Sequence, residues 1–460
     1  MGRPSVFPTG VTKYDRSRAY NGYTLYHSEP GLCLIDMNGR LVRIWKGVNN
    51  TAKPLADGDI LACRGSIPVA PGRGSYKAVV VFDWNGQEQW LFTRNIRMTM
   101  QDGTSEWVAC AHHDLEVIGD KKSVFAQEAM PGNVLILTHK VLKDEKISRH
   151  ELLDERIIEV DRDGETVWEW NAHEHFDEFG LSDEAKTSLY EEPVRAGGDI
   201  PGDWIHLNAI STLGANSHYE SRDKRFHPDN IICSSRQLNC VFIIDKQSGA
   251  VVWRLGPDCR ETEEAAAIGQ IIGQHCVYMI PKGVPGEGNV ILYDNGGFGG
   301  FSAPTPVAFD GVNSVRRHYS RVLEIDPSTM KTVWEYSQIA YGPMGRIEMC
   351  AHNFFSPYIS SVQRLPNGNT LINQGADGQF IEVTPEKEIV WEYQNPFKNS
   401  KAPTLMQNSV YRAYRVPYDW APIEAPEEVN VVPPEPETYR VPGSFQSGDP
   451  DAVSVSVVEP

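Results

Sequence analysis

Six times along this chain an apolar run ends in Asp or its equivalent, turns through a Gly or polar residue, and closes on Trp. The segments are Leu32–Trp45, Val79–Trp90, Ile157–Trp168, Val241–Trp253, Val322–Trp334 and Phe380–Trp391. Each reads as strand, tight turn, strand. The Asp side chain can hydrogen-bond the turn backbone, and a residue tolerant of positive φ completes the hairpin. Hairpins recurring at intervals of roughly 45–85 residues point to a propeller, with one such hairpin per blade.

A second strand pair precedes most of these hairpins. Its turns are Ala56-Asp57-Gly58-Asp59, Pro131-Gly132-Asn133, His227-Pro228-Asp229-Asn230, Gly286-Glu287-Gly288-Asn289 and Pro366-Asn367-Gly368-Asn369. Joining the two elements gives a four-stranded blade. The expected fold is therefore all-β: a six-bladed β-propeller of four-stranded blades with short helical insertions. Blades are expected near 22–47, 54–94, 110–170, 204–256, 273–338 and 354–395. The first is one strand short, and Tyr411–Val416 near the C-terminus supplies a strand that would close the ring. Residues 1–21 read as an N-terminal arm, 22–420 as the propeller and 421–460 as a disordered tail rich in Pro, Glu and Val. Helix-forming insertions occur at Asp183–Tyr190 and around Glu263–Ala267, either as loop decoration or as a lid.

The net charge of −18 argues against nucleic acid or an anionic membrane as partner. An anionic substrate would need a local cluster of His and Arg. Nothing in the sequence is long and apolar enough to span a bilayer, and the start lacks a signal-peptide core. The eight cysteines form no C-x-x-C pair and read as buried thiols. These features point to a cytoplasmic enzyme and leave the oligomeric state open.

Histidines recur where the innermost strand of a blade begins: His112-His113, His206, His275 and His352. The innermost strands line the channel, so equivalent positions on successive blades converge on one site. His113, His206 and His275 lead into alternating apolar strands and are the best three. Strand alternation turns His112 to the other face of its blade. His352 precedes a less regular strand. The remaining histidines, His139 among them, read as structural or solvated. Arg316 and Arg317 stand after a Gly-rich aromatic loop as a candidate anion clamp, since guanidinium pairs with planar oxyanions. Serine-hydrolase elbow, P-loop and zincin helix motifs are absent from the sequence.

Several motifs then resemble one family. Gly10-Val11-Thr12 with Ala19–Leu25, Asp203–Ile210 (DWIHLNAI), Gln274-His275 followed by Val290–Gly296 (VILYDNG), and Tyr319–Glu324 are together similar to the bacterial arylsulfotransferase (aryl-sulfate sulfotransferase) family of six-bladed propellers. The resemblance covers most of the chain. It implies sulfuryl transfer between phenols, without a nucleotide donor, through a sulfated channel histidine. It gives His206 and His275 channel roles in binding and acid–base chemistry, and it makes Asn208, Asn295 and Arg321 binding residues. The family's nucleophilic His lies in the last blade, whereas Asn369–Trp391 contains none. Its Arg after the DNG segment is replaced here by Gly297-Phe298-Gly299-Gly300. His113 and His352 are the candidates for the missing nucleophile, and Arg316 or Arg317 for the missing clamp.

The resemblance thus implies an arylsulfotransferase-like enzyme with a small aromatic or anionic substrate, needing no cofactor and no metal. Two alternatives remain on the residues alone. One is a metal-dependent lyase or hydrolase in which the convergent histidines hold one divalent ion. The other is a non-catalytic, ligand-binding propeller.

Overall fold

Every Asp-turn-Trp segment forms the two outer strands of an antiparallel sheet, and two further strands complete each blade. The computed structural model describes residues 9–433 except 68–74, 101, 120–131, 194–200, 298, 313–314, 343–344, 348–350 and 400–405. In chain order, β1 (Gly10–Tyr14) precedes the first blade, whose strands are β2 (Tyr23–Ser28), β3 (Gly31–Ile35) and β4 (Leu41–Trp45). The second blade is β5 (Ala52–Pro54), β6 (Ile60–Ser66), β7 (Tyr76–Phe82) and β8 (Glu88–Phe92). A ribbon of β9 (Ile96–Thr99) and β10 (Ser105–Val108) leads to the third blade: β11 (Ala111–Val117), β12 (Val134–Lys143), β13 (Glu151–Val160) and β14 (Thr166–Asn171).

The fourth blade is β15 (Leu207–Thr212), β16 (Ile231–Ser235), β17 (Cys240–Ile244) and β18 (Val251–Leu255). The fifth is β19 (His275–Met279), β20 (Val290–Asp294), β21 (Arg321–Asp326) and β22 (Lys331–Tyr336). After a ribbon of β23 (Ala340–Gly342) and β24 (Gly345–Ile347), the sixth is β25 (Ser361–Arg364), β26 (Thr370–Gln374), β27 (Gln379–Val383) and β28 (Ile389–Gln394). Finally β29 (Ala413–Val416) pairs antiparallel with β2 and completes the first blade, as the Tyr411–Val416 strand predicts. Six four-stranded units result; the second and third are bridged by Ala111 opposite Tyr76.

The Asp of each hairpin does what its chemistry allows. The Asp36 carboxylate accepts from the backbone of Asn38 and Arg40, and Gly39 follows at φ 78°. Asp83, Asp161, Asp245 and Asp326 repeat the turn, and in the sixth hairpin the Thr384 hydroxyl accepts from Glu388. The closing Trp has a second task. Its indole N–H donates to the backbone carbonyl one residue past the turn Asp, or past Thr384, of the next blade. The bonds are Trp45 to Trp84, Trp90 to Arg162, Trp168 to Lys246, Trp253 to Pro327, Trp334 to Pro385 and Trp391 to Met37, at 2.9–3.1 Å. The sixth returns to the first blade, so the cycle closes.

The chain ends reinforce that closure. β1 lies on the outer edge of the sixth blade against β28. The segment 421–433, at the start of the expected disordered tail, runs back past the first blade, where Asn38 donates to the Glu427 carbonyl, and Val431 then bridges Tyr14 of β1; residues 434–460 lie outside the described residues. The insertion helices form as α1 (Asp183–Glu191), capped by Ser182, and α3 (Glu263–Ile268), capped by Thr262. A one-turn helix, α2 (Ser217–Glu220), lies between them in the chain. Seven described cysteines are free and buried; Cys350 lies outside the described residues.

Candidate active site at the channel mouth

His113 lies in β11, His206 immediately precedes β15, and His275 opens β19. These are innermost strands of three consecutive blades. Each strand carries a register shift beside its histidine. His113 and His206 themselves adopt left-handed backbone, φ 49° and 47°, and Cys276 does so at 55°. Bulges of this kind re-aim side chains, and backbone strain of this kind concentrates at functional sites.

The rings of His113 and His206 meet edge to face, 4.7 Å between centroids at 75°. The Tyr411 ring, from the closing segment, stands 6.0 Å from His113. His206 Nδ1 is 2.5 Å from the Asp203 carboxylate. His275 Nδ1 is 2.8 Å from Asn295 Oδ1 and 3.0 Å from the carbonyl of Gly273. All of these partners accept only, so Nδ1 carries the proton in both rings and each Nε2 keeps its lone pair. His113 Nδ1 faces His112 Nδ1 at 2.7 Å, which leaves its own Nε2 as the free nitrogen.

The three rings are electrostatically linked. Burial, then the charges of His206 and His112, hold His113 well below the ordinary imidazole range. Burial and the Arg236 guanidinium push His275 down to about 3. His275 is thus a neutral imidazole at physiological pH. Arg236 follows β16, and its backbone N–H donates to the carbonyl of His206.

Beyond the histidines the axis is plugged. Asp114, next to His113, takes Lys53 at 2.7 Å and Arg412 at 2.8 Å. Arg412 also donates to the carbonyl of Asn208, as does the Tyr411 hydroxyl. This ion group itself lines a cavity that takes residues from all six innermost strands, including Asp114, Cys276, Val362 and Tyr414.

The other residues singled out from sequence lie elsewhere or do other work. His352 is exposed on the turn Ala351–Asn353, and none of its described contacts links it to the three rings. Arg317 and Arg321 both pair with the buried Asp294, at 2.7 and 2.8 Å, and Arg321 also donates to the carbonyls of Ile268, Gly269 and Gln270. Their charge is consumed inside the fifth blade. Arg316 is exposed on a groove outside that blade. Asn295 orients His275, and Asn208 Nδ2 donates to the carbonyl of Gln274, so both brace the site.

Sequence reading passed over Asp203, Arg236, Tyr411 and Arg412. Asp203 was visible three residues before His206 in the same motif. Arg236 carried no signal, because it stands in an ordinary turn between strands. Tyr411 and Arg412 were legible as part of a closing strand but not as channel residues. His139, read as structural, packs against His112 on the far side of β11.

The family model described as arylsulfotransferase (ASST) matches residues 77–415. No curated protein matches the chain by sequence. Among solved structures, a protein of unknown function from Bacteroides caccae is 11% identical, covering 86% of this chain and 98% of that one, with a TM-score of 0.43. A streptogramin B lyase is 12% identical, covering 86% and 85%, with a TM-score of 0.36.

Proposed function

The chain belongs to the arylsulfotransferase family, and from that premise we propose that it moves a sulfuryl group between phenolic compounds through His206. The observation that carries this reading is the Asp203–His206 pair, held at 2.5 Å with its Nε2 free beside His113. A buried carboxylate on Nδ1 orients an imidazole and balances the positive charge that grows on the ring when Nε2 attacks. His206 is therefore assigned the nucleophile's role, ahead of His113 and His352.

In the first half-reaction the Nε2 lone pair bonds to the sulfur of an aryl sulfate. The S–O bond to the ring carbon's oxygen breaks, and its electrons leave on the phenolate. The sulfated ring keeps its Nδ1 proton against Asp203. In the second half a phenolic oxygen attacks the sulfur, the N–S bond breaks, and His206 regains its lone pair. The departing phenolate takes its proton from solvent, and the acceptor's phenolic proton returns to solvent, so the two halves balance. His113 and His275 stay neutral and serve as hydrogen-bonding groups, while Arg236 opposes the sulfate charge.

Incubation with p-nitrophenyl sulfate and a phenol acceptor tests this. p-Nitrophenol release is expected. With donor alone, peptide mapping is expected to find a sulfuryl adduct on the His206 peptide. Absence of both release and adduct defeats the reading.

A further inference from the structure

Behind His113, away from the channel, lies a cluster that sulfuryl transfer does not use. We propose that His112, His139 and Glu155 bind one divalent transition-metal ion, zinc before others, inside the wall of the third blade. The three side chains come from adjacent strands β11, β12 and β13, and all are buried. One ligand atom from each lies within 4.8 Å of the other two.

The local geometry favours an ion over a plain hydrogen-bonded pair. His112 Nε2 is 3.0 Å from Glu155 Oε2, and His139 Nε2 is 3.6 Å from Glu155 Oε1. Ligands of a tetrahedral ion with bonds of 2.0–2.1 Å sit about 3.3 Å apart, between those two values. The His112–Glu155 contact is an ion pair by distance, but its angles are poor for a hydrogen bond. A cation seated between such buried atoms would satisfy both better than the pair satisfies itself. The rings of His112 and His139 are stacked, 3.6 Å and 12° apart, and both Nε2 atoms face the same carboxylate.

The outer partners fit as well. His139 Nδ1 is held by the Ser75 hydroxyl at 3.0 Å, and His112 Nδ1 by His113 Nδ1 at 2.7 Å. Each imidazole thus has its rear nitrogen occupied, the arrangement that orients metal-ligating histidines. Glu155 Oε1 also accepts from the backbone of Leu207 at 3.0 Å, which ties the cluster to the strand that follows His206. Two imidazoles and one carboxylate are an established zinc donor set, with a fourth position for water.

The ion would also reach the channel, and this consequence rests on the sulfuryl-transfer reading. With Nε2 on the metal, His112 keeps its proton on Nδ1 and donates it to His113 Nδ1. His113 then presents Nε2–H to the channel, as a donor for sulfate or phenolate oxygen.

The test is titration of the chelator-treated full chain with Co(II), followed by elemental analysis after loading with Zn(II). One ion per chain is expected, with visible absorption bands of tetrahedral or five-coordinate cobalt. His139→Gln and Glu155→Gln should each abolish the bands, while His206→Ala should keep them. If the folded wild-type chain shows neither bands nor a rise in melting temperature with zinc, the proposal is overturned, whether or not the variants fold. It is equally overturned if the bands survive in both cluster variants, or vanish only in His206→Ala. Metal stoichiometry is read without any aryl sulfate, so failure of the transfer assay does not bear on it.

Discussion

The indole N–H of Trp391 donates to the backbone carbonyl of Met37 at 2.9 Å, although 354 residues separate them in the chain. Trp391 is fully buried, and the Arg415 guanidinium lies 4.6 Å from its ring centroid. This bond is the last of the six that link each blade to the next, and it joins the end of the ring to its beginning. Trp391→Phe keeps most of the packing but leaves a buried carbonyl without its donor. A loss of about 2 kcal/mol is expected. Trp334 makes the equivalent bond at the exposed rim, so Trp334→Phe should cost less than about 1 kcal/mol. Urea denaturation of both variants checks the order; equal losses would mean that ring closure has no special weight.

Asp203→Asn preserves shape but can turn an amide N–H toward His206, forcing the proton onto Nε2. If His206 is the nucleophile, kcat should fall roughly 10³–10⁴-fold, the scale seen when a triad carboxylate becomes an amide. Substrate affinity should change little. Steady-state kinetics with p-nitrophenyl sulfate decide this, and a loss below threefold would remove His206 from that role.

Arg236 and Arg317 should separate binding from stability. Arg236→Met removes the cation whose charge acts on His275, and KM for an aryl sulfate should rise roughly 10- to 100-fold. Arg317→Met deprives the buried Asp294 of one of its two guanidinium partners, so it should lower stability by about 3 kcal/mol and leave KM nearly unchanged. Kinetics and thermal melts on both variants check the split. The reverse pattern would restore Arg317 as the clamp.

His275 gives a pH dependence of defined sign. Its pKa is about 3 in the folded protein, against 6.5 as its ordinary value. Above pH 6.5 the ring is neutral in both states and contributes nothing. Below 6.5 the unfolded chain takes a proton that the folded chain refuses, so folded stability falls as pH falls, until about pH 3. At pH 5 this penalty is about 2 kcal/mol. His275→Asn lacks it, so the stability gap between wild type and variant should narrow by that amount from pH 7 to pH 5. Denaturant melts at the two pH values measure it; a constant gap would mean that His275 protonates normally.

The hairpins were legible because their chemistry is local. An Asp that caps its own turn, a positive-φ residue after it, and alternating apolar strands all act within about a dozen residues. Even the closing strand at Tyr411–Val416 could be read, because a blade missing one strand demands one. His206, His275 and His113 were legible as convergent for the same reason: repeats impose equivalent positions. The opposite fate of His112 followed from strand alternation.

The arginines were not legible. Arg317 looked like a clamp, yet Asp294, 23 positions earlier, neutralises it. Nothing about Ser235-Arg236-Gln237 distinguishes its guanidinium until the turn that holds it is seen beside His275. His139 and Glu155 sit in outer positions of a regular blade, and only strand pairing sets them against His112. Sequence alone determined the ring: its repeat, its turns and the blades that bear the histidines, since these depend on backbone periodicity and short-range hydrogen bonding. Tertiary structure decided which charged groups stand beside the channel histidines and which pair inside a blade, because desolvation and pairing depend on neighbours that the linear order does not reveal.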